Sequence, residues 1–177
     1  EGITKITLDD VAYIGSYGGV IKLLGRAKRM EDGKIFAIVS PAIVMHGSQL
    51  ASVNDVFNAI LVRGDATGDV VFYGKGAGKL PTASAVVADV IDCARNMDRK
   101  KPLGWDEAEE NYVVDYKSAV NPLYIRAEVN DKAKALEDVI AEIGQVQVLS
   151  FDGCKADELA FVTPAMAEGE LTEKLNG

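Results

Sequence analysis

The residues best placed to do chemistry lie at 73–86, "YGKGAGKLPTASAV", with glycines at positions 74, 76 and 78, lysines at 75 and 79 and a proline at 81. The spacing G-x-G-x-G is not the dinucleotide fingerprint, which needs two residues before its third glycine. Nor is it a P-loop, because Leu80 stands where Ser or Thr would ligate magnesium. What remains is a strand, a glycine-rich turn and a helix. Glycines let successive amides point into one concavity and a helix start adds partial positive charge, so the segment suits an anion. It suits a tight structural turn equally well. Leu80 cannot cap the helix, so the amides of Thr82, Ala83 and Ser84 are expected to need water, the hydroxyls of Thr82 or Ser84, or a ligand.

The other reactive side chains have plainer readings. His46, the one histidine, has no carboxylate beside it in sequence and reads as a loop residue satisfied by backbone. Cys93 and Cys154 lack CxxC spacing and read as reduced packing residues, with no zinc site. Asp9 and Asp10 look like acids at a helix start, favoured by its dipole. Lys22 and Arg26 alternate with apolar residues and should face solvent, and the acidic run Asp106 to Glu110 reads as a solvated face. No Ser/His/Asp, Cys/His or paired-carboxylate arrangement stands out, so no catalytic residue and no metal site is assigned in this chain.

With 177 residues, 48% hydrophobic and 26% charged, the chain can bury one sizeable core or two small ones. The net charge of −8 argues against nucleic acid or an anionic membrane as the main partner. No apolar run reaches the roughly 18 residues that span a bilayer, so the protein is expected to be soluble and cytoplasmic. A start at Glu1 that leads almost at once into structured pattern suggests a fragment of a longer protein.

Thr7, with an acid three residues on, predicts a helix over 8–15 ended by Gly15, Gly18 and Gly19. Residues 20–30 and 35–41 flank an Asp32-Gly33 turn, and 58–64 and 69–74 flank a turn with Gly64, Asp65 and Gly68; both pairs predict hairpins. Residues 42–57 are ambiguous between loop and short helix. Val86, Val90, Cys93 and Met97 carry helical periodicity over 81–97, with Pro81 in the first turn. The polar stretch 98–120 reads as a connector. From Asn121 the order strand 123–129, helix 134–144, strand 146–151, strand 158–163 and helix 165–175 is that of a small ferredoxin-like module. The fold class is therefore α+β, a partly antiparallel sheet with helices followed by a βαββα module. The expected division is 1–97, 98–120 and 121–177.

Taken together, "EGI" (1–3), "IKLL" (21–24), "VSPAIV" (39–44), "QLASVNDVFNAI" (49–60) and "YGKGAGKLPTASAVVADVID" (73–92) resemble the catalytic region of homoserine dehydrogenase. Residues 121–144 resemble the start of the ACT regulatory module often appended to that enzyme. The resemblance implies interconversion of L-homoserine and aspartate 4-semialdehyde with NADP or NAD, in the route to threonine, methionine and isoleucine, by a homodimer. It implies that Gly76, Ala77 and Gly78 approach the cofactor, Gly78 above all, because a Cβ there would obstruct the nucleotide. The family's nucleotide domain and acid/base lysine fall ahead of "EGI", so the 177 residues alone are expected to be inactive. An amino-acid effector, if bound, would meet the loop at Asn130, Asp131 and Ala133. Effector-binding ACT modules usually have a Pro-Gly pair there; this chain has Ala133 and Lys134, which leaves a structural or dimerising role open.

Overall fold

Thr7 sets the start of the first helix in the computed structural model, which describes residues 2–99, 104–107 and 110–176. Its hydroxyl accepts from the Asp10 amide while the Asp10 carboxylate accepts from the Thr7 amide, a reciprocal capping box. Helix α1 runs Leu8–Ser16, buries Tyr13 and Ile14, and stops as the chain reaches Gly18 at φ +88°.

Strands β1 (Gly19–Arg29) and β2 (Ile35–Met45) pair antiparallel, with Arg29 opposite Ile35 and Gly19 opposite Met45. The turn forms where Asp32-Gly33 predicts it: Gly33 takes φ +85° and the Asp32 carboxylate accepts from the Lys34 amide at 3.1 Å. β2 continues through Pro41 to Met45, since a two-stranded ribbon has free edges where a proline does not break a ladder. Residues Tyr112 to Val114, read from sequence as connector, add to the start of β2: the Tyr112 carbonyl accepts from the Ile35 amide and the Ile35 carbonyl accepts from the Val114 amide, both at 2.9 Å. The ambiguous stretch after β2 holds a short 3-10 turn at Gln49–Ser52.

The second hairpin joins β3 (Phe57–Gly64) to β4 (Gly68–Lys75), with Gly68 at φ +68° in the turn. Helix α2 follows over Lys79–Arg95. Its predicted periodicity is real, yet it buries no residue: Val86 is 57% and Val90 62% exposed, and Met97, placed in the helix by its periodicity, lies past the Asn96 cap. Cys93 lies on this uncovered stripe and is exposed, so it is not the packing residue expected of it; Cys154 is half-buried, and both thiols are free.

The C-terminal elements are β5 (Val120–Asn121), β6 (Tyr124–Glu128), α3 (Lys132–Ile143), β7 (Gln147–Leu149), β8 (Glu158–Val162), β9 (Met166–Ala167) and α4 (Glu168–Asn176). β5 pairs with β9, and a three-stranded antiparallel sheet has the order β6-β8-β7. That order, with a helix between the outer strands, is the split βαβ core of a ferredoxin-like module. β8 is buried along its whole length. Leu159 and Phe161 pack with Ile143, Met166 and Leu171 on one face; Ala160 and Val162 pack with Leu149 and with Tyr13 and Ile14 of α1 on the other.

Two compact units result: Glu1–Met45 with Glu109–Gly177, and His46–Ala108. This differs from the sequence division at 97 and 120, because α1 spends its apolar face on the C-terminal sheet. Part of the predicted connector and of the acidic run, residues 100–103, 108 and 109, lies outside the described residues. No helix among the described residues is long and apolar enough to cross a membrane.

Candidate functional site

The glycine loop belongs to the unit His46–Ala108. β3 and β4 bring Asn58 opposite Gly74 and stack Phe57 on Tyr73 at 4.9 Å between ring centroids. The Gly76 amide then donates to the Val56 carbonyl at 3.1 Å, and a Cβ on Gly76 would run into the Asn58 side chain. Gly78 is the N-cap of α2 at φ +123°, ψ 146°, a backbone region that side chains disfavour. A Cβ there would also press on Pro81 Cδ at 3.3 Å.

The structure corrects which amides are left open. The helix begins at Lys79, two residues before Pro81, and the Thr82 amide already donates to the Gly78 carbonyl at 3.1 Å. Proline has no amide to satisfy, so the first-turn donors are those of Lys79 and Leu80 rather than Thr82, Ala83 and Ser84. Gly78 makes no side-chain cap and Lys75, Ala77 and Lys79 are all exposed. The loop therefore offers two amides, the positive end of a helix and flanking ammonium groups, a set that suits a phosphate group.

A second polar cluster was not foreseen from sequence, although Arg126 and Glu158 stand out as charges within otherwise apolar strands. Asp10 is 5% exposed and Glu158 2%, and Arg126 lies between them. The Arg126 guanidinium donates from Nε to Asp10 Oδ1 at 2.8 Å, from Nη1 to Glu158 Oε1 at 2.6 Å and from Nη2 to Thr7 Oγ1 at 3.0 Å. The Tyr124 hydroxyl donates to Asp10 at 3.0 Å, the Tyr13 hydroxyl to Glu158 at 3.3 Å, and Lys155 Nζ to Glu158 at 3.2 Å. Asp10 is thus more than the helix-start acid expected: it caps α1 and pairs with a strand. Among the described residues no buried side-chain nitrogen or oxygen lacks a partner.

These surroundings set a pH window. Burial raises the Asp10 carboxyl, but Thr7, Arg126 and Tyr124 donating into it hold it below its ordinary 3.8. Burial likewise raises Glu158, and Lys155 and Arg126 outweigh it, leaving that carboxyl below 4.5. Burial, with Cys154 and Glu158 alongside, pushes the Tyr13 phenol from 10 up to about 12. A carboxyl lowered on folding contributes fully above its unfolded value and loses that contribution as pH falls through the lowered one. A phenol raised on folding contributes fully below 10 and loses that as pH rises through about 12. The urea midpoint of this chain is expected to be flat from about pH 5 to 10 and to fall on both sides. A midpoint that rises below pH 4 would contradict the assignment.

The remaining sequence candidates do not converge. His46 is exposed in the turn after β2. Asn130 is exposed, and Asp131 is the N-cap of α3, its Oδ1 accepting from the amides of Ala133 at 3.0 Å and Lys134 at 3.1 Å. Two of the first three amides of α3 are thus held by Asp131.

Comparison with known proteins gives one family. The family model for homoserine dehydrogenase matches residues 1–91. A homoserine dehydrogenase of Pseudomonas aeruginosa is 37% identical over 78% of this chain and 33% of its own length. That of Mycobacterium bovis is 34% identical over 99% of this chain and 44% of its own. The crystal structure of a homoserine dehydrogenase from Thiobacillus denitrificans superposes with a TM-score of 0.78 at 28% identity, covering 99% of this chain and 42% of that one. A Staphylococcus aureus homoserine dehydrogenase gives 0.72 at 30% identity. The chain therefore spans between a third and under a half of the length of the relatives it matches.

Proposed function

This chain belongs to the homoserine dehydrogenase family, and we propose that it is the C-terminal portion of an enzyme that interconverts L-homoserine and L-aspartate 4-semialdehyde, with residues 76–78 facing NADP or NAD. The observation that carries this reading is the loop itself. The family match runs through it, and it is glycine at the two positions, 76 and 78, where a side chain would strike Asn58 or force a disfavoured backbone. The donor set fits a dinucleotide: an anionic phosphate can approach the amides of Lys79 and Leu80 past Gly76 and Gly78, which carry no Cβ. When bound, the nicotinamide supplies the hydride chemistry. This chain's part is to hold the nucleotide's charge and bring backbone close to it. We assign no proton-transfer residue to it.

The same reading has the working protein a homodimer in the cytoplasm, with the exposed apolar residues of the second hairpin, Ile60 and Phe72 among them, covered on assembly. A non-catalytic amino-acid sensor is not favoured, since the family match falls on residues 1–91, ahead of the C-terminal module.

The test is a chimera in which this chain replaces the matching segment of the Pseudomonas aeruginosa enzyme. Homoserine-dependent reduction of NADP or NAD is expected from the chimera and none from the 177-residue chain alone. A chimera that folds and binds the nucleotide yet never turns over homoserine would refute the reading, and so would activity in the isolated chain.

A further inference from the structure

We propose that the C-terminal module is a structural closure for helix α1, with Arg126 as the positioning residue that sets α1 on the sheet, and not a receptor for a free amino acid at the loop 130–133. The inference stands on the unit Glu1–Met45 with Glu109–Gly177 and does not depend on the cofactor reading.

Both faces of the three-stranded sheet are already taken by this chain's own helices. α3 and α4 cover Leu159 and Phe161, and α1 covers Ala160 and Val162. α1 is pinned at both ends. At its start Thr7, Asp9 and Asp10 meet Arg126, and Asp9 Oδ2 also lies 3.9 Å from Lys155. At its end the Ser16 hydroxyl donates to the Ser150 carbonyl at 2.7 Å, and the Tyr13 ring meets Phe151 edge to face at 4.7 Å. Apolar burial is non-directional and by itself specifies the placement of a short helix less sharply than a directional ion pair does. A guanidinium forked between a carboxylate on α1 and one on β8 admits one placement.

The loop after β6 offers nothing comparable to a ligand. A free amino acid would bring its carboxylate to the first amides of α3, and Asp131 already holds the amides of Ala133 and Lys134. The competing carboxylate is tethered two residues away, which gives it a high effective concentration over any ligand from solution.

Native-state hydrogen exchange of this chain tests both halves of the proposal, in the wild type, in Arg126→Met and in the triple variant Asp10→Asn, Arg126→Met, Glu158→Gln. In the wild type, amides 11–14 of α1 and 159–161 of β8 are expected to open together. Arg126→Met should lose at least about 100-fold protection at both, because it strands two buried carboxylates. The triple variant, with no buried charge left in the trio, should regain protection to within about tenfold of the wild type. Protection at α1 that Arg126→Met leaves unchanged would overturn the proposal, and so would a triple variant that stays as unprotected as the single one. Adding millimolar threonine, methionine, isoleucine or lysine to the wild type should leave exchange at 129–136 unchanged. Slowed exchange there with any of the four would overturn the second half.

Discussion

Replacing Arg126 by alanine is expected to cost about 3–5 kcal/mol of folding free energy, a large part of what a unit of this size has. The side chain is largely buried, at 21% exposed, so truncation gives up the packing of its stem. The larger loss comes from what it leaves behind: Asp10 and Glu158 remain in place, nearly closed off from water, with no guanidinium between them. Tyr124, Thr7 and Lys155 still donate to the two carboxylates, but hydroxyls and a single ammonium do not neutralise both. Urea unfolding followed by circular dichroism measures the difference. The comparison that gives it meaning is Arg63→Ala, which removes an equally well-formed bidentate pair with Asp69, at 2.6 and 2.8 Å, on the open surface of the second hairpin. There water takes over both partners, and the midpoint should not move measurably. Equal effects from the two variants would mean that the Arg126 cluster is only a surface network.

Replacing Gly78 by valine in the chimeric enzyme should raise the KM for the nicotinamide nucleotide at least about 100-fold while leaving the KM for homoserine within a few-fold. Two causes act together. A β-branched side chain strongly disfavours φ +123°, so the N-cap of α2 must shift and carry the Lys79 and Leu80 amides with it. The new methyl groups would also stand over the strip of backbone proposed to face the nucleotide. Gly76→Val is expected to do comparable harm for a different reason, since Asn58 fills the space its Cβ needs. Thermal unfolding of the chimera separates the effects: a variant that melts like its parent yet has lost the nucleotide has lost a binding surface. A homoserine KM that rises as much as the nucleotide KM would show that the loop serves the whole site and not the cofactor side.

Much of the local structure follows from residues within a few positions of each other, and these features are legible in the sequence. Thr7 and Asp10 form the capping box that their spacing announces, Asp32-Gly33 makes its turn, and Gly144 at φ +86° closes α3. The glycine loop is legible as a pattern for the same reason. The tertiary structure adds which constraint each glycine answers: Asn58 for Gly76, an N-cap conformation for Gly78. It also decides where the helix starts, and hence that Thr82 is already satisfied.

The Arg126 cluster lies beyond any reading of this kind. Asp10 and Arg126 are 116 positions apart, and they meet only because β6 pairs with β8 in a register that turns residues 126 and 158 to one face. A slip of β6 by one residue would turn Arg126 to the opposite face, among Leu159, Phe161 and the helices that cover them, and away from Glu158. Sequence alone determined the main helices and hairpins, their order and the family, because helix caps, turns and an ordered run such as 73–92 are encoded by neighbours; the short strands β5 and β9 and the bridge of Tyr112–Val114 to β2 depend on distant pairing. Tertiary structure alone decided that α1 closes the C-terminal sheet, because buried charges are stable only where the rest of the chain brings their partners to within hydrogen-bond distance.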